Sequence, residues 1–196
     1  MLEVVLATRN YNKIREIKRI LNDVNVRFLS LEDFPGCPEA VEDGETLEAN
    51  AKEKALVVSH YTKKLSLAED SGLEVEALGG APGIHSARFA GANATYEDNN
   101  KKLLKLMEKI PQEERRAKFR CVAVLAKPDG EAVTCEGVCE GIIAFDMKGE
   151  SGFGYDPLFI VPGYGKTFAE LGEEIKNRIS HRTRALAKIK QIIDKL

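Results

Sequence analysis

The chain has 196 residues, 43% of them hydrophobic, and a formal net charge of −2. That length suits one domain, or one domain with a lobe, and buries roughly 70% of the unfolded surface, so no disulfide or zinc staple is needed. The composition excludes disorder and coiled coil, the near-neutral charge argues against a general nucleic-acid binder, and no window of about 18 apolar residues is available to span a membrane.

Residues 2–7 form an apolar, β-branched run that predicts a buried strand. The run is too short for a secretory signal and lacks a basic start, so a cytoplasmic location is expected. Asn10 is placed to cap a helix whose apolar stripe is Ile14, Ile17, Ile20 and Leu21. A second strand is expected over Val24–Leu29, a loop over residues 31–45, and a helix over Leu47–Val58. Leu65–Glu69 reads as a strand that ends in a turn at Gly72. Residues 79–83, Gly-Gly-Ala-Pro-Gly, exclude regular structure. Thr95-x-x-Asp98 predicts a capping box ahead of a helix through Met107. Residues 117–126 and 131–139 read as a hairpin around Pro128-Asp129-Gly130. Leu158–Val161 is another strand, Thr167-x-x-Glu170 another capping box, and residues 181–195 a last amphipathic helix capped by Ser180. Helices and strands alternate around a hairpin, which predicts α/β with a mixed sheet. Cys37, Cys121, Cys135 and Cys139 make no C-x-x-C pair and have no histidine cluster beside them, so all read as reduced packing residues.

Several stretches carry chemistry. Thr8-Arg9-Asn10-Tyr11-Asn12-Lys13 sits where a strand gives way to a helix. Such an N-terminus offers unpaired N–H groups and a positive dipole end, which favour phosphate. An ordinary capped helix with a surface lysine would look the same. Glu42-Asp43-Gly44-Glu45 precedes a helix bearing Glu48, Asn50 and Lys54. These acids either complement the helix dipole or bring a ligand to a metal shared with the next motif. That motif, Glu69-Asp70-Ser71-Gly72, delivers two carboxylates from a buried strand, and strand alternation sends them to opposite sides. Mg²⁺ takes such oxygen ligands, one or two carboxylates with substrate phosphate. Residues 79–88 fix a backbone path and end in His85 and Arg88. Ser151-Gly152-Phe153-Gly154-Tyr155-Asp156-Pro157 mixes flexible backbone, two aromatics and a carboxylate, a set that suits stacking on a planar base and reading its edge. Lys176, His181 and Arg182 gather cations near the last helix start, where they oppose its dipole unless an anion or carbonyl compensates. Gly165-Lys166-Thr167 imitates the end of a P-loop, but Ile160 stands where that loop needs glycine.

Taken in order, these stretches resemble the inosine triphosphate pyrophosphatase family, the Ham1-like pyrophosphatases of non-standard purine nucleoside triphosphates. The resemblance rests on Thr8-x-Asn10-x-x-Lys13, Glu42-x-Gly44-x-Thr46-x-x-x-Asn50-Ala51, Asp70-Ser71-Gly72-Leu73, residues 79–88, Gly152-Phe153-Gly154-Tyr155-Asp156-Pro157 and Ser180-His181-Arg182. It covers nearly the whole chain. It departs at Glu69, where many relatives carry Asp, and at Arg9, where the residue is often small.

The resemblance implies one Ham1-like domain over residues 1–196. The implied fold is an elongated mixed α/β sheet flanked by helices, with two lobes and a central active-site cleft, usually as a homodimer. It implies Mg²⁺-dependent hydrolysis of ITP, dITP and XTP between the α and β phosphates, giving the monophosphate and pyrophosphate. Thr8, Asn10, Lys13 and Lys54 would hold the triphosphate, with Arg9, Tyr11 and Asn12 beside them. Asp70 and Glu42 would hold the metal, with Asp70 as base or water-orienting group and Ser71 in contact with substrate. Phe153 would stack on the purine within the loop that includes Gly154, Tyr155 and Asp156. Lys176, His181 and Arg182 would donate to its edge. A donor-only pocket accepts the C6 carbonyl of hypoxanthine or xanthine and leaves adenine's amino group unmatched, a contrast worth roughly 10⁴-fold. Guanine shares that carbonyl, so its exclusion requires a further device near C2. On this reading Arg182→Ala weakens ITP use far more than it alters folding. A general phosphohydrolase would not need the base pocket, and a nucleotide sensor would not need Asp70.

Overall fold

The computed structural model describes residues 1–196. In chain order the elements are β1 (Leu2–Leu6), α1 (Tyr11–Ile20), β2 (Val26–Leu29), α2 (Leu47–Thr62), β3 (Leu65–Val75), β4 (Pro82–Gly83), α3 (Tyr96–Leu106), β5 (Arg116–Ala126), β6 (Ala132–Ile143), β7 (Phe159–Val161), β8 (Lys166–Thr167), α4 (Phe168–Ile179) and α5 (His181–Ile193). The sheet runs β2-β1-β3-β5-β6-β7-β8, with β4 paired to β3. β1 lies parallel to both β2 and β3, whereas β3–β4, β6–β7 and β7–β8 are antiparallel. The expected mixed α/β sheet is therefore present.

The chain divides into two compact units, and the divisions fall inside β3 after Asp70, inside β5 after Arg120 and inside β6 after Gly137. The first unit holds Met1–Asp70, Cys121–Gly137 and His181–Leu196. Its core joins Val4 and Leu6 of β1, Ile17 and Leu21 around α1, Leu67 of β3, Cys121, Ala123 and Leu125 of β5, and Ala185, Leu186, Ile189 and Ile193 of α5. The predicted α1 stripe is the face that α1 buries, with Ile14 and Ile20 at its margins. The second unit holds Ser71–Arg120 and Val138–Ser180, packed around Leu73, Val75, Leu103, Met107, Phe119, Phe159 and Phe168. Phe159 stacks on Phe168 at 5.4 Å between centroids and meets Phe119 at 4.5 Å. A buried guanidinium, Arg115, braces this unit by donating to the carbonyls of Met107, Ile110, Ile143 and Ala144. Met107 caps the C-terminus of α3, so the arginine satisfies carbonyls that the helix itself cannot.

The local start signals hold where the sequence places them. Asn10 accepts from the backbone N–H groups of Asn12 and Lys13, and full capping boxes open α3 at Thr95/Asp98 and α4 at Thr167/Glu170. Thr167 is thus a helix cap, which explains the false P-loop ending. Ser180 separates α4 from α5 with extended backbone angles, φ −68 and ψ 162. All four cysteines are free and buried, as expected.

Gly72 corrects the sequence reading. It does not turn the chain, because β3 continues to Val75. A Cβ at Gly72 would lie 2.4 Å from the Gly83 carbonyl oxygen, so the missing side chain admits β4, paired through Leu73↔Gly83. β6 uses glycine in the same way. A Cβ at Gly137 would meet the His181 carbonyl at 2.1 Å and the Ala185 nitrogen at 2.4 Å. The start of α5 therefore rests directly on the β6 backbone. Gly137→Ala should push α5 outward and cost about 1–3 kcal/mol, the usual range for overpacking, read as a lower midpoint in urea unfolding.

Candidate active site

The centre of the first unit is the pair Glu69 and Asp70, inside β3 rather than at its end. Neighbouring residues of a strand face opposite sides, and the two carboxylates have separate partners. Asp70 is 8% exposed. Its Oδ1 lies 3.3 Å from Lys54 Nζ and its Oδ2 accepts from Asn50 Nδ2 at 3.3 Å. Lys54 Nζ also lies 3.4 Å from Glu42 Oε1, so one ammonium group is shared by the two carboxylates expected to bind metal. Burial raises the Asp70 carboxyl above its ordinary pKa, and nearby Glu69 and Glu42 add to this, against the pull of Lys54 and Lys13.

Asn50 had no assigned role in the sequence reading. Its Oδ1 accepts from Gly44 N at 2.9 Å while its Nδ2 reaches Asp70. One amide therefore ties the loop after Glu42 to the strand that bears Asp70. Gly44 is required at that point, since a Cβ there would stand 2.6 Å from Asn50 Oδ1. Thr46 caps α2 by accepting from Ala49 N, which sets Asn50 and Lys54 one turn apart on the same helix.

On the other side Glu69, 1% exposed, is enclosed by cations. Its Oε1 lies 2.9 Å from Lys13 Nζ and 3.4 Å from Arg182 Nη2, and its Oε2 accepts from the Cys121 thiol at 3.4 Å. Arg182 also bonds Glu16 of α1 through Nη1. Burial works against the charge of both Lys13 and Arg182, yet both pKa values rise, because Glu69 favours each charged form and Glu16 adds to the effect on Arg182. Glu69 thereby acquires the role of orienting Lys13 and Arg182. Around it, Thr8 accepts from Asn10 N at 3.2 Å, Asn10 caps α1, Asn12 is half-buried, and Arg9 and Tyr11 are exposed.

In the second unit Phe153, Gly154, Tyr155 and Asp156 form the loop before β7. Asp156 Oδ2 accepts from Phe153 N at 2.8 Å and from Lys176 Nζ at 2.5 Å. Lys176 Nζ stands 4.4 Å from the centroid of the Phe153 ring. A Cβ on Gly152 would meet Asp156 Oδ2 at 2.1 Å, so glycine lets the carboxylate fold under its own loop. Tyr155 is buried, its hydroxyl donates to the Ser86 carbonyl at 2.9 Å, and burial raises its pKa. Ser86 also accepts from Leu73 N and donates to the Gly83 carbonyl, so residues 79–88 brace β3 and β4, leaving His85 and Arg88 exposed. Ser71 opens this unit on β3.

The sequence reading grouped Lys176, His181 and Arg182 as one set of donors. Lys176 belongs to the second unit, held by Asp156, whereas His181 and Arg182 belong to the first. Both are buried, and Arg182 is ion-paired to Glu16 and Glu69. Nothing in the local sequence marks Glu16, one acid on an amphipathic helix, as the partner of a residue 166 positions away. The pairing changes the expectation for Arg182→Ala. Removing the guanidinium strands two buried carboxylates, so that variant should lose about 3–5 kcal/mol of stability as well as activity, measured by urea unfolding.

Comparison with known proteins places the chain in a family. A model of the Ham1 family matches residues 4–192. A dITP/XTP pyrophosphatase of Desulforamulus reducens is 51% identical over 195 residues, 100% of this chain and 97% of the relative. A protein of the same name from Geobacter sulfurreducens is 52% identical over 190 residues, covering 97% of this chain and 96% of the relative. The solved structure of a HAM1 protein from Coxiella burnetii superposes with a TM-score of 0.91 at 39% identity and covers all of both chains. On the full-length match and on these relatives, the chain belongs to the Ham1 family.

Proposed function

We propose that the protein hydrolyses non-standard purine nucleoside triphosphates, dITP, ITP and XTP, to the monophosphate and pyrophosphate, with Mg²⁺. The observation that carries this reading is the Asp70 carboxylate, buried in mid-strand and held between Asn50 and the lysine it shares with Glu42. The relatives at about half identity that are named dITP/XTP pyrophosphatase support the substrate class. A homodimer acting in the cytoplasm follows from the same family resemblance. No helix is long and apolar enough to cross a membrane.

The donor set fits magnesium. Asp70 and Glu42 offer hard oxygen donors that already share one cation, and no third histidine, cysteine or acid completes a protein-only site. Substrate phosphate and water would supply the remaining ligands, as magnesium usually requires. When bound, the ion would supply positive charge that offsets the negative charge developing on the leaving pyrophosphate.

The chain's own residues do the rest. Lys13 and Lys54 meet the triphosphate as compact charges, with Thr8, Asn10 and the N–H groups at the start of α1 beside them. Arg9, Tyr11 and Asn12 line the same approach, and Ser71 follows Asp70. Asp70 orients the attacking water and takes its proton as the water oxygen bonds to the α phosphorus. The bond to the bridging oxygen then breaks and pyrophosphate leaves. Phe153 stacks on the purine, while Asp156 sets the loop that carries Phe153, Gly154 and Tyr155. Lys176, His181 and Arg182 meet its carbonyl edge.

Incubation with ITP, dITP, XTP, GTP and ATP plus magnesium should release monophosphate and pyrophosphate from the first three, with little ATP turnover. Diphosphate and free phosphate as products would instead identify a general phosphohydrolase. Asp70→Asn should abolish turnover, and unchanged ITP hydrolysis would remove Asp70 from the chemistry. The same variant carries a stability signature. A carboxyl whose folded pKa exceeds its unfolded value destabilises the fold above that raised pKa, and the cost fades as pH falls towards the ordinary 3.8. Metal-free Asp70→Asn should therefore melt above the parent at neutral pH, with the gap closing in acid.

A further inference from the structure

The loop that holds Phe153 is fastened to a second element, the first turns of α3. Tyr96 is the first residue of that helix, set in place by the Thr95/Asp98 capping box. Its ring lies 6.0 Å from the Phe153 ring between centroids, tilted by 44°. Asn100, one turn further on, is almost fully buried, and its Nδ2 donates both to the Tyr96 carbonyl and to the Gly154 carbonyl, each at 2.8 Å. Both neighbours are carbonyls, so only the NH₂ side of the amide can face them. Asn100 Oδ1 is left buried without a hydrogen-bond partner in the protein. A buried acceptor without a partner is generally unfavourable, and here it accompanies a fixed link between α3 and the residue next to Phe153.

Tyr96 itself is 42% exposed, so its ring is open to a ligand beside Phe153. At this distance the two tilted rings touch one another and form one continuous aromatic surface, and Lys176 Nζ stands 4.4 Å from the Phe153 centroid. A flat, electron-poor heterocycle with a carbonyl edge matches that combination of an aromatic surface and an ammonium donor.

We propose that Tyr96 is a second aromatic contact for the purine base and that Asn100 is the positioning residue that holds the Phe153 loop at the correct distance from it. This rests on the reading that Phe153 takes the base. Tyr96 contributes affinity for the base and none for the phosphates, and it takes no part in proton transfer.

The test compares inhibition of ITP hydrolysis by inosine monophosphate and by pyrophosphate in the parent, Tyr96→Ala, Tyr96→Phe and Phe153→Ala. Tyr96→Ala should raise the monophosphate inhibition constant and the KM for ITP by roughly 3- to 10-fold, the range for one aromatic contact. kcat should stay within about twofold and pyrophosphate inhibition should not move, since only base binding is lost. Tyr96→Phe should restore parent behaviour, because the ring rather than the hydroxyl makes the contact. If Phe153→Ala weakens monophosphate inhibition but Tyr96→Ala leaves it at the parent value, the inference is overturned and the Phe153 reading stands. If Tyr96→Ala weakens both inhibitors equally, the residue is merely structural and the inference falls. If neither variant affects the monophosphate, the base-site reading itself falls.

Discussion

Two carboxylates that follow one another on a buried strand point to opposite faces and need separate hydrogen-bond partners, and this constraint organises the first unit. Glu69 and Asp70 emerge on opposite faces of β3, each almost removed from water. A lone ionised carboxylate there would be strongly disfavoured, so each face must supply its own compensation. α1 and α5 supply Lys13 and Arg182 to Glu69, while α2 supplies Asn50 and Lys54 to Asp70. The packing of three helices is thus tied to a single peptide unit of one strand. The two faces differ in character. Glu69 is enclosed by two cations and a thiol. Asp70 has one cation shared with a partly exposed acid and one neutral amide, and burial raises its pKa.

This asymmetry fits a longer acid ahead of Asp70. Glu69 uses its reach to meet Lys13, Arg182 and Cys121 at once, and so holds both cations in place. Cys121, read from sequence as a packing residue, adds a weak donor to the same carboxylate. The Asn50 amide does comparable work on the other face. It presents its oxygen to Gly44 N and its nitrogen to Asp70, and a neutral group can do both without adding a charge that would reset the Asp70 pKa.

The features visible in the sequence are those whose cause is local. Caps at Asn10, Thr95 and Thr167 bond within three residues, so spacing alone identifies them. Alternation at Glu69 and Asp70 is equally local. The features missed have distant causes. Gly72 looked like a turn because glycine usually marks one, yet the carbonyl that demands it belongs to Gly83 on another strand. Gly137 and Gly141 carry no mark in the sequence, but one admits the α5 backbone and the other the Phe159 ring, 2.4 Å from where a Cβ would be. Glu16 reads as a solvated face until α5 brings Arg182 against it.

Two buried arginines show how function can be told from scaffolding in such a chain. Arg115 meets four backbone carbonyls and no carboxylate, and burial lowers its pKa. Its work is complete within the fold, where it closes the end of α3 against β6. Arg182 is surrounded by acids that themselves must be kept charged in a dry interior, and each of those acids holds another functional group or helix. Hydrophobic residues of similar volume would often fold as well as such an ion-pair network or better. A packing argument accounts for Arg115 alone. The cluster of Glu16, Arg182, Glu69 and Lys13 instead fixes charge beside the start of α1, at the cost of burying it.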